Sequence, residues 1–219
     1  VLLVDHAKKI GEKIRISGGG RCNFTNIHTH PSKFISKNQK FVISALKQYT
    51  QNDFINLINK HNIKFHEKKL GQLFCDQSAQ QIVDMLILEC QTAKVTMKKE
   101  TYVTEVDKQD DKYFIDTGDD NYSCTSLIIA TGGLSVPKIG ASKFGYDIAQ
   151  KFNMNIVETL PALVPLTFNE KILEMCKELS GLSLEAVVFF KKTFFQEGML
   201  FTHRGLSGPS ILQISSYWK

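Results

Sequence analysis

The stretch Ser17-Gly18-Gly19-Gly20-Arg21-Cys22-Asn23 decides the fold of this chain. It follows a short apolar segment, Val1 to Val4, then the acidic residue Asp5 and a basic turn of predicted helix, Ala7 to Ile14. Three consecutive glycines give up side-chain packing, which suits a backbone that needs positive φ or lies against a bulky ligand. Successive N–H groups in such a loop form a concave site for anionic oxygens, and Arg21 adds a forked donor suited to phosphate. Taken alone, the glycines could also mark a mobile turn.

Two further features favour a phosphate-bearing cofactor. Asp5 ends an apolar strand, where a carboxylate can bind the ribose hydroxyls of a dinucleotide. Residues 127–133, Leu-Ile-Ile-Ala-Thr-Gly-Gly, have the pattern of a buried parallel strand that ends in a glycine turn. Open α/β sheets bind ligands at the carboxyl ends of their strands. We therefore expect Ser17–Asn23 and Ala130–Gly133 to converge on one cavity with Asp5 at its rim. An ordinary loop aspartate and a plain strand exit remain the alternatives.

Three segments, VLLVDHAKKIGEKIRISGGGRCNFTN, LIIATGG and LFTHRGLSGP, resemble the FAD-binding family that includes aminoacetone oxidases and bile-acid-reductase-like flavoproteins. The resemblance covers nearly all of residues 1–219. It implies an α/β fold: an incomplete Rossmann-like FAD-binding domain with an antiparallel β-meander and an inserted β-rich domain. The cofactor contacts that it implies are Asp5, Gly18, Gly19, Gly20, Arg21, Cys22, Asn23, Val103, Ala130, Thr131, Gly132 and Gly133.

This sequence departs from the family pattern in two respects. The family usually carries Glu where this chain has Asp5. Family members begin with a strand and a G-x-G-x-x-G turn and end with a glycine-rich flavin-binding segment, and residues 1–219 contain neither. We therefore expect an internal fragment that needs a missing segment or a complementary chain to complete its sheet.

The predicted domains are a partial FAD-binding domain at 1–160 and the start of the β-rich insert at 161–219. Val1–Val4 and Leu127–Ala130 are predicted to be neighbouring parallel strands. The predicted meander has strands at 95–98, 102–107, 113–117 and 121–124, and other strands are predicted at 63–67, 72–75, 166–168, 182–190, 193–195 and 199–201. Helices are predicted at 38–51, from a cap at Asn52 or Asp53 to His61, at 79–93 capped by Ser78, at 146–152, and after Ser207 with Pro209 in its first turn.

Charge and composition narrow the function classes. The net charge of +5 comes from lysines spread along the chain, which argues against a nucleic-acid partner. The five cysteines are scattered and show no metal-binding pattern, so we expect no metal site (metal: none). Reduced thiols are the simplest state for these cysteines and indicate a cytoplasmic protein. No apolar run is long enough to span a membrane.

The predicted reaction is hydride transfer between a small organic substrate and FAD, with NAD(P)H as a possible reductant. Cys22 is interpreted as a cofactor contact rather than a redox nucleophile. His203 and Arg204 are weak catalytic candidates, and their alternative role is to brace the turn into the last helix. The alternative function is a non-catalytic remnant that keeps the fold without binding cofactor on its own.

Overall fold

The structure, a computed structural model, describes residues 1–218. The chain divides into two compact units, Val1–Ile156 and the part that begins at Val157. This division lies close to the predicted boundary between residues 160 and 161, and the roles assigned to the two parts remain predictions. Both units mix helices and strands, so the α/β class is confirmed.

The first unit contains eight strands and five α-helices within the described residues. They are β1 (Leu2–Val4), α1 (Glu12–Ile16), β2 (Asn23–Asn26), α2 (Ile43–Gln48), α3 (Gln51–Lys60), β3 (Phe65–Glu67), β4 (Gln72–Cys75), α4 (Gln80–Thr92), β5 (Thr96–Lys98), β6 (Glu105–Gln109), β7 (Lys112–Asp116), β8 (Asn121–Cys124) and α5 (Phe144–Lys151). The second unit contains β9 (Leu166–Thr167), α6 (Glu170–Glu178), β10 (Ser183–Phe190), β11 (Thr193–Thr202), β12 (Gly205–Ser207) and α7 (Pro209–Ser215).

Three sheets form in the first unit. β1 pairs in parallel with β5, so that Leu3 lies opposite Met97. β2, β4 and β3 form an antiparallel sheet in that spatial order. β6, β7 and β8 form an antiparallel meander, which confirms the prediction for residues 105–124. The prediction that 95–98 belongs to this meander is wrong, because β5 pairs with β1 instead.

The predicted pairing of Val1–Val4 with Leu127–Ala130 is also wrong. β1 forms, but Leu127–Ala130 is not a strand, and no strand among residues 1–218 pairs with it. The side chain of Ile128 is 85% exposed. A parallel strand is stabilised by hydrogen bonds and burial from its neighbours. Without a paired strand beside it, the apolar pattern of this segment does not produce a strand.

The core of the first unit lies between α3, α4 and the β2–β4 pair. Its buried members are Cys22, Ile58, Ile63, Cys75, Ala79, Ile82 and Met85. Thr50 caps α3 in a reciprocal box with Asp53, so the predicted cap at Asn52 or Asp53 is wrong by a few residues. Ser78 precedes the N-cap of α4, and its hydroxyl accepts a hydrogen bond from the Gln80 N–H at 3.1 Å. The N-terminal part of the predicted helix at 38–51 is absent, and Phe41 there is 77% exposed.

The second unit is a four-stranded sheet in the order β10-β11-β12-β9, with α7 packed against it. Ile211 and Ile214 of α7 are buried. The predicted strands at 193–195 and 199–201 are parts of the single strand β11, and Gly208 rather than Ser207 is the N-cap of α7. α6 was not predicted, and its buried residue is Cys176.

Candidate cofactor site

The glycine loop adopts the backbone conformation that its sequence predicts. Gly18, Gly19 and Gly20 have φ values of 58°, 66° and 86°, in the left-handed region that favours glycine. A Cβ on Gly18 would lie 2.7 Å from both the Asn23 nitrogen and Cε1 of Phe74. A Cβ on Gly19 or Gly20 would meet nothing within 4 Å. Gly18 is therefore required by packing, whereas Gly19 and Gly20 leave open space over the backbone.

Backbone hydrogen bonds fix the loop to the end of β4 and to the segment between β4 and α4. The Ala79 N–H donates to the Gly20 carbonyl at 2.8 Å, and the Cys75 N–H donates to the Arg21 carbonyl at 2.9 Å. The guanidinium of Arg21 is exposed and donates from Nη1 to the carbonyl of Asp76 at 2.9 Å. One arm of the guanidinium is thus oriented by the protein, and Arg21 keeps the charge and donors that an anionic ligand needs.

Cys22 belongs to the hydrophobic core. Its side chain is buried in the same cluster as Cys75; Cys22 immediately precedes β2, and Cys75 ends β4, the strand paired with β2. Burial, with smaller effects from the nearby Cys22 and Asp76, raises the pKa of the Cys75 thiol to about 11. A thiol with such a pKa stays neutral and unreactive at ordinary pH. The proximity of Cys75 to Cys22 was not expected, because 53 residues of sequence separate the two positions.

A cavity of about 270 Å³ lies beside the glycine loop. Lys13, Ser17 and Asn23 are the polar residues of its lining, and the other lining residues are Ile14, Cys22, Phe24, Phe54, Ile82 and Leu86. Ala130–Gly133 is not part of this lining. The convergence of Ser17–Asn23 and Ala130–Gly133 on one cavity stays a prediction.

Lys13 connects the cavity to the segment that follows Gly133. Its Nζ donates to Oγ of Ser135 at 2.6 Å and to the Ser135 carbonyl at 3.4 Å. The sequence analysis missed Lys13, because a lysine in a lysine-rich chain carries no distinguishing signal. Its position beside the glycine loop becomes visible only in the folded unit.

A second cavity of about 540 Å³ lies beyond the end of β1. Its lining includes His6, Ala7, Lys8, Lys9, Glu12, Glu100, Tyr102, Lys138, Ile139 and Gly140. The Asp5 carboxylate accepts a hydrogen bond from the Ala7 N–H at 2.8 Å, and the Asp5 carbonyl accepts one from the Thr101 N–H at 3.1 Å. The structure therefore brings Asp5 together with the segment that carries Val103, which is half-buried and precedes β6.

The remaining predicted residues lie elsewhere. Thr131 and Gly132 are exposed, and Gly133 faces α5, where a Cβ would lie 3.3 Å from the Tyr146 hydroxyl. His203 and Arg204 are exposed in the second unit, in the turn between β11 and β12. The Thr202 hydroxyl organises this turn, since it accepts from the Arg204 N–H at 3.3 Å and donates to the Gly205 carbonyl at 3.1 Å.

The donor set fits an oxygen-rich cofactor such as FAD. The open backbone at Gly19 and Gly20 forms a surface that a Cβ would fill, and Arg21 stands beside it. Residues 1–218 contain no cluster of three metal-ligating side chains. Across the same residues, no helix is both long enough and apolar enough to cross a bilayer.

Comparisons with known proteins agree with the resemblance at the level of the family. The chain is 51% identical over its whole length to a ribosomal RNA dihydrouridine synthase of Escherichia coli (strain K12) and covers 55% of that protein. It is 45% identical to the protein of the same name from Haemophilus influenzae and covers 56% of it. It is 23% identical over 99% of its length to a 3-dehydro-bile acid delta(4,6)-reductase of Clostridium scindens and covers 54% of that protein.

The chain thus spans about half the length of the curated relatives that it matches. Residues 1–211 match the family described as HI0933-like protein Rossmann domain, which supports a flavin-type oxidoreductase fold. The chain belongs to the HI0933-like Rossmann domain family.

Proposed function

We propose that this chain is part of a flavin-dependent reductase that acts on uridine in ribosomal RNA. The observation that carries the proposal is the 51% identity, over the whole chain, to a ribosomal RNA dihydrouridine synthase. The open glycine loop and Arg21 support the flavin part of the proposal, because they offer open space over the backbone and, beside it, a guanidinium that suits an anionic cofactor.

Dihydrouridine differs from uridine by two hydrogens added across the C5–C6 bond of the base. The flavin in its reduced form, when bound, would supply one hydrogen as a hydride, the other would come as a proton from solvent, and a reductant of the NAD(P)H class would reduce the flavin again. The role of this chain's own residues would be to bind the cofactor and to orient it. Gly19 and Gly20 would leave room for the cofactor and Arg21 would bind its anionic groups, while Lys13 holds the segment at Ser135 beside the loop.

A second candidate is the reduction of a small organic substrate, which was the expectation from the sequence. The 23% identity to a bile acid reductase favours it, as does the dispersed positive charge. This candidate keeps the expectation that no nucleic acid is a partner. A non-catalytic role is the third outcome, and the loss of flavin binding would favour it.

The test begins with flavin binding and ends with the product. The chain is purified with FAD, and retained flavin absorbance and the Kd of FAD are measured for the wild type, Gly19→Val and Gly118→Val. Gly118 is a matched control because it also has positive φ and open space, but lies in the β7–β8 turn. We expect Gly19→Val to weaken FAD binding at least tenfold and Gly118→Val to leave it unchanged.

The two substrate classes, ribosomal RNA and a small organic molecule, are distinguished in cells from which the complete gene has been deleted. We expect the intact gene to restore dihydrouridine in ribosomal RNA, measured by mass spectrometry of nucleosides, and the gene with Gly19→Val to fail. Unchanged nucleosides in both strains, together with reduction of a bile acid enone in vitro, would instead support the small-molecule candidate.

A further inference from the structure

The β10–β11 hairpin of the second unit exposes two aromatic side chains on one face. Phe189 is 76% exposed, and its cross-strand partner Phe194 is 66% exposed. Val187, two residues before Phe189, continues the same face and is also exposed. Directly opposed side chains on an antiparallel pair lie close enough to form one continuous surface. We call this face of Val187, Phe189 and Phe194 the aromatic face.

The aromatic face is not the side on which the hairpin packs. The alternating residues Phe190 and Phe195 lie on the other side, where the Phe190 ring stacks on Trp218 at 6.2 Å and the Phe195 ring lies 5.9 Å from Tyr217. Phenylalanine side chains are usually buried, because exposing them to water is unfavourable. Exposed apolar side chains that cluster, rather than occur singly, are typical of binding surfaces.

Positive charge surrounds the tip of the same hairpin. Lys191 and Lys192 form the turn between the two strands, and Lys191 Nζ lies 5.1 Å from the centre of the Phe190 ring. The segment from Ala186 to Gln196 contains no acidic residue. Lysine is depleted in the cores of protein–protein interfaces. Aromatic faces next to lysines are instead the arrangement with which proteins bind single-stranded nucleic acid, since bases stack on the rings and phosphates meet the cations.

We infer that the aromatic face binds an unpaired stretch of ribosomal RNA, with bases stacked on Phe189 and Phe194 and phosphates contacted by Lys191 and Lys192. The inference rests on the proposed function, which makes RNA the substrate. It places an RNA contact in the second unit, on the β10–β11 hairpin. It also departs from the expectation that dispersed lysines exclude a nucleic-acid partner.

The test measures binding of a fluorescein-labelled oligouridine of about 12 nucleotides to the complete chain by fluorescence anisotropy. The double variant Phe189→Leu/Phe194→Leu keeps apolar bulk but removes the ring faces, and we expect it to bind at least about tenfold more weakly. Phe189→Tyr/Phe194→Tyr keeps the rings, and we expect near-normal affinity. Lys191→Gln/Lys192→Gln should reduce the slope of log K against log salt by about 1.4.

The first unit provides matched controls. Phe41 is 77% exposed and is preceded by the exposed Lys37 and Lys40. Phe41→Leu and Lys37→Gln/Lys40→Gln should leave both the affinity and the salt slope unchanged. The thermal midpoint of each variant is measured alongside, so that weaker binding is scored only in folded protein.

Four results would overturn the inference: oligouridine that does not bind the wild type, leucine variants that bind normally, hairpin variants that break a dimer of this chain, and stronger retention on anionic vesicles than on RNA. The nucleoside measurement separates the two proposals. Dihydrouridine formation with RNA binding that ignores Phe189 and Phe194 overturns only the role of the hairpin. Ring-dependent RNA binding without dihydrouridine overturns only the proposed reaction.

Discussion

Gly18 and Gly19 are adjacent, but they serve different physical needs. Gly18 is enclosed by the Asn23 backbone and the Phe74 ring, whereas Gly19 faces open space. An alanine at either position must adopt positive φ, which costs about 1–2 kcal/mol. Only at position 18 does the new methyl group also collide with fixed atoms.

We therefore predict that Gly18→Ala lowers the free energy of unfolding by about 2–5 kcal/mol, the sum of φ strain and overpacking. Gly19→Ala should lower it by only about 1–2 kcal/mol. Urea unfolding of both variants checks this difference. Equal losses would mean that the two glycines have the same surroundings in solution.

Cys75 gives a prediction about pH. Its thiol pKa is raised by burial from 9.0 to about 11, so the unfolded chain ionises before the folded chain does. Ionisation of the thiol therefore has no effect on stability below about pH 9, and the folded state loses stability as the pH rises from about 9 to about 11. We expect Cys75→Ala to be destabilised overall but to show a shallower decline over this range. Parallel pH profiles for the wild type and the variant, from urea unfolding, would contradict the raised pKa.

The conformation of the glycine loop could be predicted from sequence, whereas contacts between distant residues could not. Positive φ in the glycine loop follows from three glycines, because few other residues tolerate that conformation. Neither the connection from Lys13 to Ser135 nor the proximity of Cys22 to Cys75 could be predicted, since each depends on residues distant in sequence that meet only after folding. The assignments of individual cofactor contacts remain predictions.

Among the helices, α3 has the best-defined N-terminus. The Thr50 hydroxyl accepts a hydrogen bond from the Asp53 N–H at 3.3 Å, and the Asp53 carboxylate accepts one from the Thr50 N–H at 2.7 Å. The Thr50 hydroxyl also donates to the Asp53 carboxylate at 2.7 Å, and this hydrogen bond, followed by the one from the Thr50 N–H, holds the pKa of Asp53 below its usual value. The capped helix carries Ile58, which is fully buried in the core.

We predict that Thr50→Ala destabilises the protein by about 1 kcal/mol, the usual loss on removing an N-cap hydroxyl. The control Thr29→Ala removes another threonine hydroxyl that accepts no helix N–H and should have a smaller effect. Because the pKa of Asp53 is lowered, its contribution is present at neutral pH and is lost as the pH falls through that lowered value. Thermal melts from neutral to acid pH should therefore bring the stabilities of wild type and Thr50→Ala closer together at acid pH.

Element prediction was accurate where local pattern and tertiary pairing agreed. β3, β4, α4 and the β6–β8 meander lie within a few residues of their predicted positions. The failures have one physical origin, which is pairing between distant segments. The run 95–98 looks like a meander strand but pairs with β1, and Leu127–Ala130 looks like a buried strand but has no paired neighbour within 1–218.

Across the whole first unit, the parallel sheet is small and partly uncovered. β1 and β5 form a two-stranded sheet, so each has one edge without a hydrogen-bonded strand among the described residues. Leu2 and Ile129 are each 38% exposed, in addition to the more exposed Ile128. Two-stranded sheets are marginal in water, and unpaired edges favour association. The fold therefore offers a place for a further strand beside segments that already carry an apolar pattern.

We predict that a strand, a G-x-G-x-x-G turn and a helix joined to the chain, or supplied as a separate segment, will raise both its thermal midpoint and its affinity for FAD. Each large apolar side chain newly buried adds roughly 1.5–3 kcal/mol, against a total stability of about 5–15 kcal/mol. The glycine turn would also place a helix N-terminus at the cofactor, where it favours anionic groups. The control segment keeps the turn but replaces its apolar strand residues with serine, so that it cannot bury surface against Ile128. If residues 1–219 alone are monomeric, melt cooperatively and bind FAD at micromolar concentration or tighter, the chain does not depend on an added strand, and the exposed apolar segment has another role.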